Sequence, residues 1–506
     1  MASPSDGLFP LDAHNRALLA NVHPADWVNP IPAERYHLVV VGAGTAGLIA
    51  ASFAAGAGAR VALVERELMG GDCLNVGCVP SKSVLRSSRY FAEQRDAAAL
   101  GWTGGQASPD FEAVMERMRR IRARISPHDS AVRYRDEKGV DVFLGEGSFT
   151  GETTLEVAGA TLRFRRAVVA SGARAARLPI PGLDDAGYLT NATVFNLTEC
   201  PERLAVIGGG PIGAELAQAF QRLGASVTLL EMRPRLLPRE DPDAVAIVQA
   251  ELERDGVRLV MGATIERVDR EGEERRIRLV TDQGDEVVAV DRILVAAGRR
   301  PNTDGLGLGL AGVNHDHRGI TVDDTLQTSN PRIYAAGDVC MAWQFTHAAE
   351  DAARIAVQNA LFPGRRRLST LTMPWCTYTD PEVAHVGLSA EQAEAQGVSV
   401  ETYTQPWPAV DRALTDGDDE GFVRIHTRRG TDEILGATIV ARHAGEMISE
   451  VTLAMVAKLG LSTLSTVIHP YPTQADAIRR TALQYSVSRV TPMVKRLLGF
   501  WFRLTR

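Results

Sequence analysis

Two cysteines, Cys73 and Cys78, lie five positions apart in the segment GGDCLNVGCVPSK at residues 70–82. A zinc site needs about four ligands at suitable spacing, and no second Cys/His pair lies nearby. Residues five apart in a regular helix rise about 7.5 Å, more than the Cα separation of about 4.4–6.8 Å that a disulfide tolerates, so the helix must unwind, and Gly77 and Pro80 allow this. Pro80 suits a first helical turn, which leaves Cys78 near the positive helix end, where a thiolate is stabilised. The spacing therefore predicts a redox-active cysteine pair.

Two β-α-β units lie before and after this pair. In the first, the run LVVV at 38–41 leads into a glycine turn, a helix and the run RVALVE, which ends at Glu65. In the second, residues 204–207 lead into a glycine turn, a helix and the run SVTLLE, which ends at Glu231, at the same interval after the first glycine. Such glycines let the backbone approach a pyrophosphate, the helix N-terminus supplies N–H groups, and the acid binds ribose hydroxyls. Two bound dinucleotides are therefore predicted. The residues assigned to them are Gly42, Gly44, Thr45, Gly47 and Glu65 in the first unit, and Gly208, Gly210, Ile212, Gly213 and Glu231 in the second.

Three further apolar runs end in glycine turns: RAVVASG at 166–172, RILVAAG at 292–298 and RIYAAGD at 332–338. Each is expected to be a parallel strand that brings backbone to a ligand at its carboxyl end, where open α/β sheets bind ligands. From about Thr372 the pattern changes to alternating strands and then helices, which predicts a separate α+β domain. The turn residues assigned to ligand contact here are Gly172, Gly298 and Gly337.

Composition narrows the function classes. The chain has 506 residues, 45% hydrophobic and 23% charged, which indicates several globular domains rather than disorder. Its net charge of −7 gives no electrostatic reason to bind nucleic acid. Five cysteines are too few for a disulfide scaffold, and residues 1–30 lack the pattern of a signal peptide, so a cytoplasmic chain is expected. Residues 38–59 carry no charge but are rich in Gly and Ala, and we predict a strand, a turn and a helix there rather than a membrane span.

The cysteine segment, placed between the two glycine turns, resembles the active site of the flavoprotein disulfide reductases, the family of dihydrolipoyl dehydrogenase, glutathione reductase and mercuric reductase. The resemblance covers about residues 37–485, and WCTYTDPEVAHVG at 375–387 resembles the start of the family's dimerisation domain. It implies an α/β homodimer with two Rossmann-like dinucleotide-binding domains, for FAD and NAD(P), and a C-terminal α+β dimerisation domain. The implied division is an N-terminal arm at 1–36, the FAD-binding domain at 37–190, the NAD(P)-binding domain at 191–305, the second part of the FAD-binding and central domain at 306–371, the dimerisation domain at 372–487, and a basic amphipathic tail at 488–506.

The resemblance also implies roles for individual residues. Cys73 would be the interchange thiol that meets the substrate, and Cys78 the thiolate beside the flavin. Lys82 would lie near flavin N5, paired with Glu215, because a cation there favours the reduced, anionic flavin and an acid compensates the buried cation. Asp338 would bind the ribityl chain of FAD. The other positions assigned to FAD are Glu65, for its adenosine ribose, Gly71 and Asp72.

The chain departs from the disulfide-reducing members near its C-terminus, where they carry a His-Pro-Thr-x-x-Glu segment. Aligning on Pro-Thr places Tyr471 at the catalytic histidine and Asp476 at the glutamate, and His469 falls two residues early. A phenol with a pKa near 10 is a poor proton acceptor at neutral pH. Mercuric reductases also have tyrosine here, and Hg(II) binds thiolates directly. The departure favours Hg(II) as acceptor, bound transiently at Cys73 and Cys78, with no structural metal.

Alternatives remain open. Typical mercuric reductases carry a C-terminal cysteine pair, whereas no cysteine follows Cys376 here, and Cys200, Cys340 and Cys376 are interpreted as small buried side chains. A dithiol oxidoreductase of the dihydrolipoyl dehydrogenase type would use His469 in place of Tyr471. A membrane-peripheral NAD(P)H redox partner would use the tail.

Two further choices concern the coenzyme and the tail. Glu231 favours NADH because it would repel a 2′-phosphate, whereas mercuric reductases usually prefer NADPH and Arg233 and Arg235 lie close in sequence. The tail sequence VKRLLGFWFRLTR at 494–506 combines basic and aromatic residues. It predicts either an interfacial helix on the inner face of an anionic membrane or a helix docked on the dimer. No role is predicted for the N-terminal arm.

Overall fold

The computed structural model of the protein describes residues 7–105 and 107–505. Predictions that fall on residues 1–6 of the arm, on residue 106 and on Arg506 of the tail lie outside these ranges. The chain folds into two compact units. The first takes the described parts of 1–95, 105–234 and 258–371, and the second takes those of 96–104, 235–257 and 372–506.

The helices follow one another along the chain with these bounds: α1 (Ala13–Val22), α2 (Thr45–Gly56), α3 (Gly71–Asn75), α4 (Cys78–Asp96), α5 (Phe111–Ile125), α6 (Ala131–Asp136), α7 (Leu183–Ala186), α8 (Pro211–Arg222), α9 (Pro242–Arg254), α10 (Thr346–Leu361), α11 (Ala390–Ala395), α12 (Asp411–Asp416), α13 (Ala444–Val456), α14 (Leu461–Leu464), α15 (Asp476–Ser488) and α16 (Pro492–Leu504). Short 3-10 helices span Ala97–Leu100, Ser126–Asp129, Val194–Asn196, Leu368–Thr370 and Trp407–Ala409.

The strands have these bounds: β1 (Tyr36–Val41), β2 (Val61–Glu65), β3 (Asp141–Leu144), β4 (Gly147–Gly151), β5 (Thr154–Val157), β6 (Ala160–Val169), β7 (Ala173–Ala175), β8 (Arg203–Ile207), β9 (Ser226–Glu231), β10 (Arg258–Met261), β11 (Thr264–Glu271), β12 (Glu274–Thr281), β13 (Gly284–Val290), β14 (Arg292–Val295), β15 (Arg299–Pro301), β16 (His315–Asp316), β17 (Gly319–Ile320), β18 (Ile333–Ala335), β19 (Pro374–Thr377), β20 (Glu382–Gly387), β21 (Val400–Pro406), β22 (Phe422–Arg428) and β23 (Ile434–Ala441).

The largest sheet of the first unit has, within the described residues, seven strands in the order β3-β2-β1-β6-β5-β4, with β18 beside β6. Strands β1, β2, β3, β6 and β18 run parallel. The four residues at 38–41 are buried, as the continuous apolar run predicts for a parallel strand. Strand β6 leads into the turn at 170–172, and β18 leads into the turn at 336–338. The parallel strands predicted for the runs at 166–172 and 332–338 are therefore confirmed.

A second parallel sheet in the same unit has the order β10-β9-β8-β14. It contains the strands of the second β-α-β unit, and β14 pairs with β8 in parallel register as the run at 292–298 predicts. Strands β11, β12 and β13 form an antiparallel sheet that shares a hydrophobic core with the parallel one. The α/β class is therefore confirmed for both glycine-turn units.

The uncharged segment at 38–59 forms β1 and α2, joined by the first glycine turn. Helix α2 contacts α10, and its buried residues are mostly alanine, which allows close packing of the two helices. No helix in the part of the chain that the structure describes combines the length and the hydropathy needed to cross a membrane.

The second unit is built on a five-stranded antiparallel sheet, counted over the described residues, in the order β19-β20-β23-β22-β21. Its core packs Trp407 and the inward side chains of β22 and β23 against α13 and α15. This arrangement confirms the α+β texture predicted after Thr372. The last helix, α16, has no buried residue.

Candidate active site

The first glycine turn leads from β1 into α2. Gly42 has φ +100°, and a Cβ atom there would lie 2.4 Å from the Ala170 carbonyl oxygen, so only glycine fits. Gly44 is the N-cap of α2, and no side chain of the described residues caps that helix. The first N–H groups of α2 are therefore left for a ligand, as phosphate binding requires.

The second glycine turn repeats this construction between β8 and α8. Gly208 has φ +112°, and Gly210 is an N-cap without a side-chain hydrogen bond from any described residue. A Cβ atom on Gly213 would lie 1.8 Å from the Gly208 carbonyl oxygen, so this glycine permits the close turn. Ile212, in the first turn of α8, remains 38% exposed and available for contact with a ligand.

In each β-α-β unit, the acid at the end of the second strand accepts hydrogen bonds from the backbone of the glycine turn in the same unit. Glu65 accepts hydrogen bonds from Ala43 N–H at 2.6 Å and Glu67 N–H at 2.8 Å. Glu231 accepts from Gly209 N–H at 2.6 Å and Arg233 N–H at 2.8 Å. Burial raises the pKa of the Glu65 carboxyl. Since a carboxylate has about four acceptor sites, each acid retains capacity for ribose hydroxyls.

The cysteine segment is two helices with a break between them. Cys73 lies in α3, which ends at Asn75, and Cys78 is the first residue of α4. A Cβ atom on Gly77 would lie 2.7 Å from the Asp72 carbonyl oxygen, so the chain can turn this tightly only with glycine. The helix unwinds where the sequence predicts, with Cys78 at the positive end of α4 and Pro80 in its first turn.

The two thiols have opposite electrostatic environments. A hydrogen bond between them raises the pKa of Cys73 and lowers the pKa of Cys78, although burial works against ionisation of both. The Thr346 hydroxyl, 3.3 Å from Cys78 Sγ, and the charge of Lys82 lower the pKa of Cys78 further. These contacts favour the thiolate form at Cys78 and the thiol form at Cys73.

An ion pair joins the cysteine helix to the second glycine turn. Lys82, one turn after Cys78 on α4, lies with its Nζ 2.8 Å from Glu215 Oε2. Glu215 is buried on α8. The arrangement brings together four of the predicted catalytic residues, Cys73, Cys78, Lys82 and Glu215, in the first unit.

A second charge cluster joins the predicted FAD residues Asp72, which is exposed, and Asp338, which is partly buried, through Arg299. Arg299 Nη2 lies 2.5 Å from Asp72 Oδ2 and 3.3 Å from Asp338 Oδ2. Burial raises the pKa of Asp338, and the Arg299 charge opposes this. The buried Nε of Arg299 has no hydrogen-bond partner in residues 7–105 and 107–505, and it could donate to one more acceptor. Together with the uncapped α2 N-terminus, this donor set fits the ribityl and pyrophosphate groups of FAD.

Two residues of this site, Arg299 and Thr346, were not predicted from the sequence. Arg299 directly follows Gly298, at the carboxyl end of β14, and that position was the available signal. Thr346 opens α10, and nothing in its sequence neighbourhood marks it. The remaining cysteines, Cys200, Cys340 and Cys376, are only partly buried, which corrects their interpretation as buried side chains.

The C-terminal candidates lie in the second unit, where Tyr471 and Asp476 have different hydrogen-bond partners. The Tyr471 hydroxyl donates to Asp411 Oδ2 at 3.0 Å, and this bond raises the pKa of Tyr471. Asp476 instead accepts from Arg480 Nε at 2.7 Å, because Arg480 lies one turn along the same helix. Among the described residues, no hydrogen bond joins Tyr471 to Asp476. His469 Nε2 lies 3.1 Å from Glu450 Oε1, which makes a histidine–carboxylate pair two residues before Tyr471.

Comparison with known families gives two matches. The family described as pyridine nucleotide-disulphide oxidoreductase matches residues 36–353. The dimerisation domain of pyridine nucleotide-disulphide oxidoreductases matches residues 373–482.

Individual proteins similar to the chain carry different activities in their names. A mercuric reductase of Lysinibacillus sphaericus is 36% identical over 89% of this chain and 83% of its own length. A dihydrolipoyl dehydrogenase of Chlamydia muridarum is 35% identical over 89% and 97%. Among solved structures, the HOCl-induced flavoprotein disulfide reductase RclA from Escherichia coli matches 89% of this chain and all of its own chain in its Cu(II) complex, with TM-score 0.79 and 29% identity. LpdA from Mycobacterium tuberculosis matches 90% and 100%, with TM-score 0.81 and 29% identity.

Proposed function

The chain belongs to the pyridine nucleotide-disulphide oxidoreductase family, whose members use FAD and NAD(P)H, and from this premise we propose that it passes electrons from NAD(P)H through Cys73 and Cys78 to Hg(II). The oxidoreductase class follows from the family. The family does not determine the electron acceptor, because relatives named mercuric reductase and dihydrolipoyl dehydrogenase are almost equally similar to the chain. The identity of the acceptor, Hg(II), is therefore what we propose.

The cysteine pair carries the proposal. When bound, FAD accepts a hydride from NAD(P)H and supplies two electrons at the sulfur pair. Reduction of the disulfide breaks the S–S bond and takes up two electrons and one proton, which leaves a Cys73 thiol and a Cys78 thiolate. Lys82 stabilises the negative charge, and Glu215 compensates Lys82. The overall reaction, NAD(P)H + Hg(II) → NAD(P)⁺ + H⁺ + Hg(0), balances because a hydride carries two electrons and leaves one proton.

The C-terminal segment supports Hg(II) over a dithiol. The pKa of Tyr471 is raised by Asp411, so the phenolate, the form that accepts a proton, is even scarcer near neutral pH than in an ordinary tyrosine. A dithiol substrate must lose protons to a base, whereas Hg(II) binds thiolates directly. The Cu(II) complex of the related reductase RclA is consistent with a metal ion as acceptor.

The test is anaerobic NAD(P)H oxidation by the purified flavoprotein with Hg(II) supplied as a thiol complex. We expect turnover in the wild type, its loss in Cys73→Ser, and no change in Cys200→Ser, which removes a thiol from the same unit. Flavin reduction without Hg(II)-stimulated turnover in the wild type would reject Hg(II) as the acceptor.

A dithiol oxidoreductase is the second candidate, and the His469–Glu450 pair is the observation that favours it. A histidine held by a carboxylate can accept a thiol proton. Dihydrolipoamide-dependent reduction of NAD⁺ that is lost in His469→Ala and retained in Tyr471→Phe would support this candidate. No activity of the wild type with dihydrolipoamide would exclude it.

The proposed assembly is a homodimer, supported by the match to the family's dimerisation domain. We also propose that α16 rests on the inner face of an anionic membrane. Residues 481–506 contain no acid. At about 100° per residue, Lys495, Arg496 and Arg503 fall within an arc of about 100°. Most of the remaining circumference is apolar and exposed, through Met493, Leu497, Leu498, Phe500, Trp501, Phe502 and Leu504.

A cationic arc opposite exposed aromatic residues is typical of interfacial helices. Flotation with vesicles of anionic and of neutral lipid tests the contact. We expect the full chain to float with anionic vesicles only, and a chain ending at Thr491 to remain behind as a dimer. No flotation of the full chain would overturn the membrane contact, and dissociation of the truncated dimer would assign α16 to the partner subunit instead.

A further inference from the structure

The N-terminal arm lies before residue 36, where the family match begins, yet its described part is an ordered component of the first unit. Helix α1 packs on α5 and buries Leu18 and Val22 completely. Asp12 caps α1 by accepting from Asn15 N–H at 2.8 Å, and it also accepts from Arg119 Nε at 2.6 Å. The arm is therefore fixed to α5 by both apolar and charged contacts.

A buried chain of hydrogen bonds runs from the arm to the loop between the two cysteines. Arg122, on α5, donates from Nη2 to Asn15 Oδ1 at 2.7 Å and from Nη1 to the Asn75 carbonyl oxygen at 2.5 Å. Asn75 lies two residues after Cys73. Its own side-chain amide donates to the carbonyls of Met69 and Gly71, so it ties together both ends of the segment that carries Cys73.

The arm also touches the start of this segment directly. Met69 N–H donates to the Val22 carbonyl oxygen at the end of α1, at 3.2 Å. The His23 ring hydrogen-bonds to the Glu67 carbonyl oxygen. The backbone just before Gly71 is thus held by Val22 and His23, two residues that lie outside the family match.

Arg122 is a buried cation between the N-terminal arm and the segment that carries Cys73. It is 1% exposed, and within the described residues no carboxylate lies in salt-bridge contact with it. Burial and the neighbouring charge of Arg119 lower its pKa to about 10, so it stays charged at neutral pH. A buried cation held only by neutral oxygens is costly, and its two Nη contacts join the arm to the redox loop.

We propose that the N-terminal arm is a positioning element for the redox pair: Asn15 orients Arg122, and Arg122 holds Asn75 and places a positive charge behind the Cys73–Cys78 loop. This inference rests on the proposed redox role of the two cysteines. Reduction takes up two electrons and one proton and creates a thiolate, so a nearby fixed cation favours the reduced pair. The arm therefore raises the midpoint potential of the pair.

The experiment measures the dithiol–disulfide equilibrium of Cys73 and Cys78 in the full-length holoenzyme. The protein is equilibrated in glutathione buffers of graded ratio, thiols are trapped by alkylation, and the two cysteines are read by mass spectrometry. In Arg122→Met we expect the equilibrium constant for reduction to fall about tenfold, which corresponds to about 30 mV for two electrons. Asn15→Leu should move it in the same direction, and Arg122→Lys should recover part of the loss.

Asn21→Leu is the matched control, because Asn21 lies on the same helix and donates to Ala17 and Ser126 without contacting Arg122. Equal equilibrium constants in wild type, Asn15→Leu and Asn21→Leu would overturn the positioning role while leaving the proposed function intact. A wild type in which Cys73 and Cys78 never form a disulfide would overturn the proposed function and, with it, this inference.

Discussion

The two glycine turns are nearly identical in their own hydrogen bonds and differ in what lies in front of them. In each, the acid that ends the second strand accepts backbone N–H groups at 2.6 and 2.8 Å. In front of the first turn, Gly71 is so close that a Cβ atom on it would lie 2.6 Å from Gly44 Cα. In front of the second, a Cβ atom on Gly210 would have no atom of residues 7–105 or 107–505 within 4 Å.

This difference separates two uses of one construction. The first helix N-terminus is covered by the redox loop and by the Arg299 charge cluster, which suits a cofactor that stays bound. The second is open, which suits a coenzyme that must enter and leave in every turnover. We propose that the glycine turn fixes the kind of ligand and that the elements packed against it determine how long the ligand remains bound.

The largest expected effect comes from filling the closed contact, in Gly71→Ala. The position has φ +55°, which costs a side chain roughly 1–3 kcal/mol, and the added Cβ atom must displace Gly44. If this cost of roughly 1–3 kcal/mol weakens flavin binding, the purified protein should retain about a tenth or less of the wild-type flavin. The flavin-to-protein absorbance ratio measures it.

Gly210→Ala is the matched change in the open turn and should keep its flavin. Wild-type flavin content in Gly71→Ala would show that the contact between the redox loop and the first turn does not close the cofactor site.

The next effect concerns the charge cluster that covers the first turn. Arg299→Met leaves the exposed Asp72 and the partly buried Asp338 without the cation that pairs with both. The pKa of Asp338 is already raised by burial, and it rises further when the Arg299 charge is removed. The Asp338 carboxyl therefore becomes an unpaired negative charge as the pH increases through its raised pKa. We expect flavin retention in this variant to fall as pH rises.

Arg300→Met is the control, because Arg300 is the next residue and pairs with Asp304 near the surface. It should retain flavin like the wild type at every pH. A pH-independent flavin content in Arg299→Met would separate the charge cluster from cofactor binding.

The glycine turns, the five strands that lead into turns, and the break between the cysteines could be predicted from sequence because each depends on residues close together in the chain. The Arg299–Asp72 contact could not, since it joins residues 227 positions apart and depends on where β15 lies relative to α3. The alignment of Asp476 with the family's glutamate could not show its partner either: Arg480, one helical turn away, pairs with the Asp476 carboxylate. A motif alignment contains no information about such a competitor.

A smaller effect is expected on the ion pair that links the redox helix to the second turn. Lys82 lowers the pKa of Cys78 and Glu215 raises it. Lys82→Met should therefore move the loss of thiolate to a higher pH, by about one unit, and Glu215→Gln should move it to a lower pH. The long-wavelength absorbance of the thiolate beside the flavin, titrated in the reduced protein, measures both shifts.

Opposite signs for the two variants are the essential result. Shifts of the same sign would mean that the substitutions disturb the helix packing rather than the charge at Cys78.

The smallest effect should come from the same Glu-to-Gln substitution made in turn at Glu231 and at Glu65, the acids that end the second strand of each β-α-β unit. Glu231→Gln keeps the size of the side chain and removes the charge that repels a 2′-phosphate, so kcat/KM should fall for NADH and rise for NADPH, with a combined change of about tenfold. Glu65→Gln removes the corresponding charge from the first turn, and it should loosen flavin without changing the ratio of the two coenzymes. A changed ratio in Glu65→Gln, or an unchanged ratio in Glu231→Gln, would contradict the assignment of the open turn to the exchanging coenzyme, because only the acid at that turn can contact its ribose.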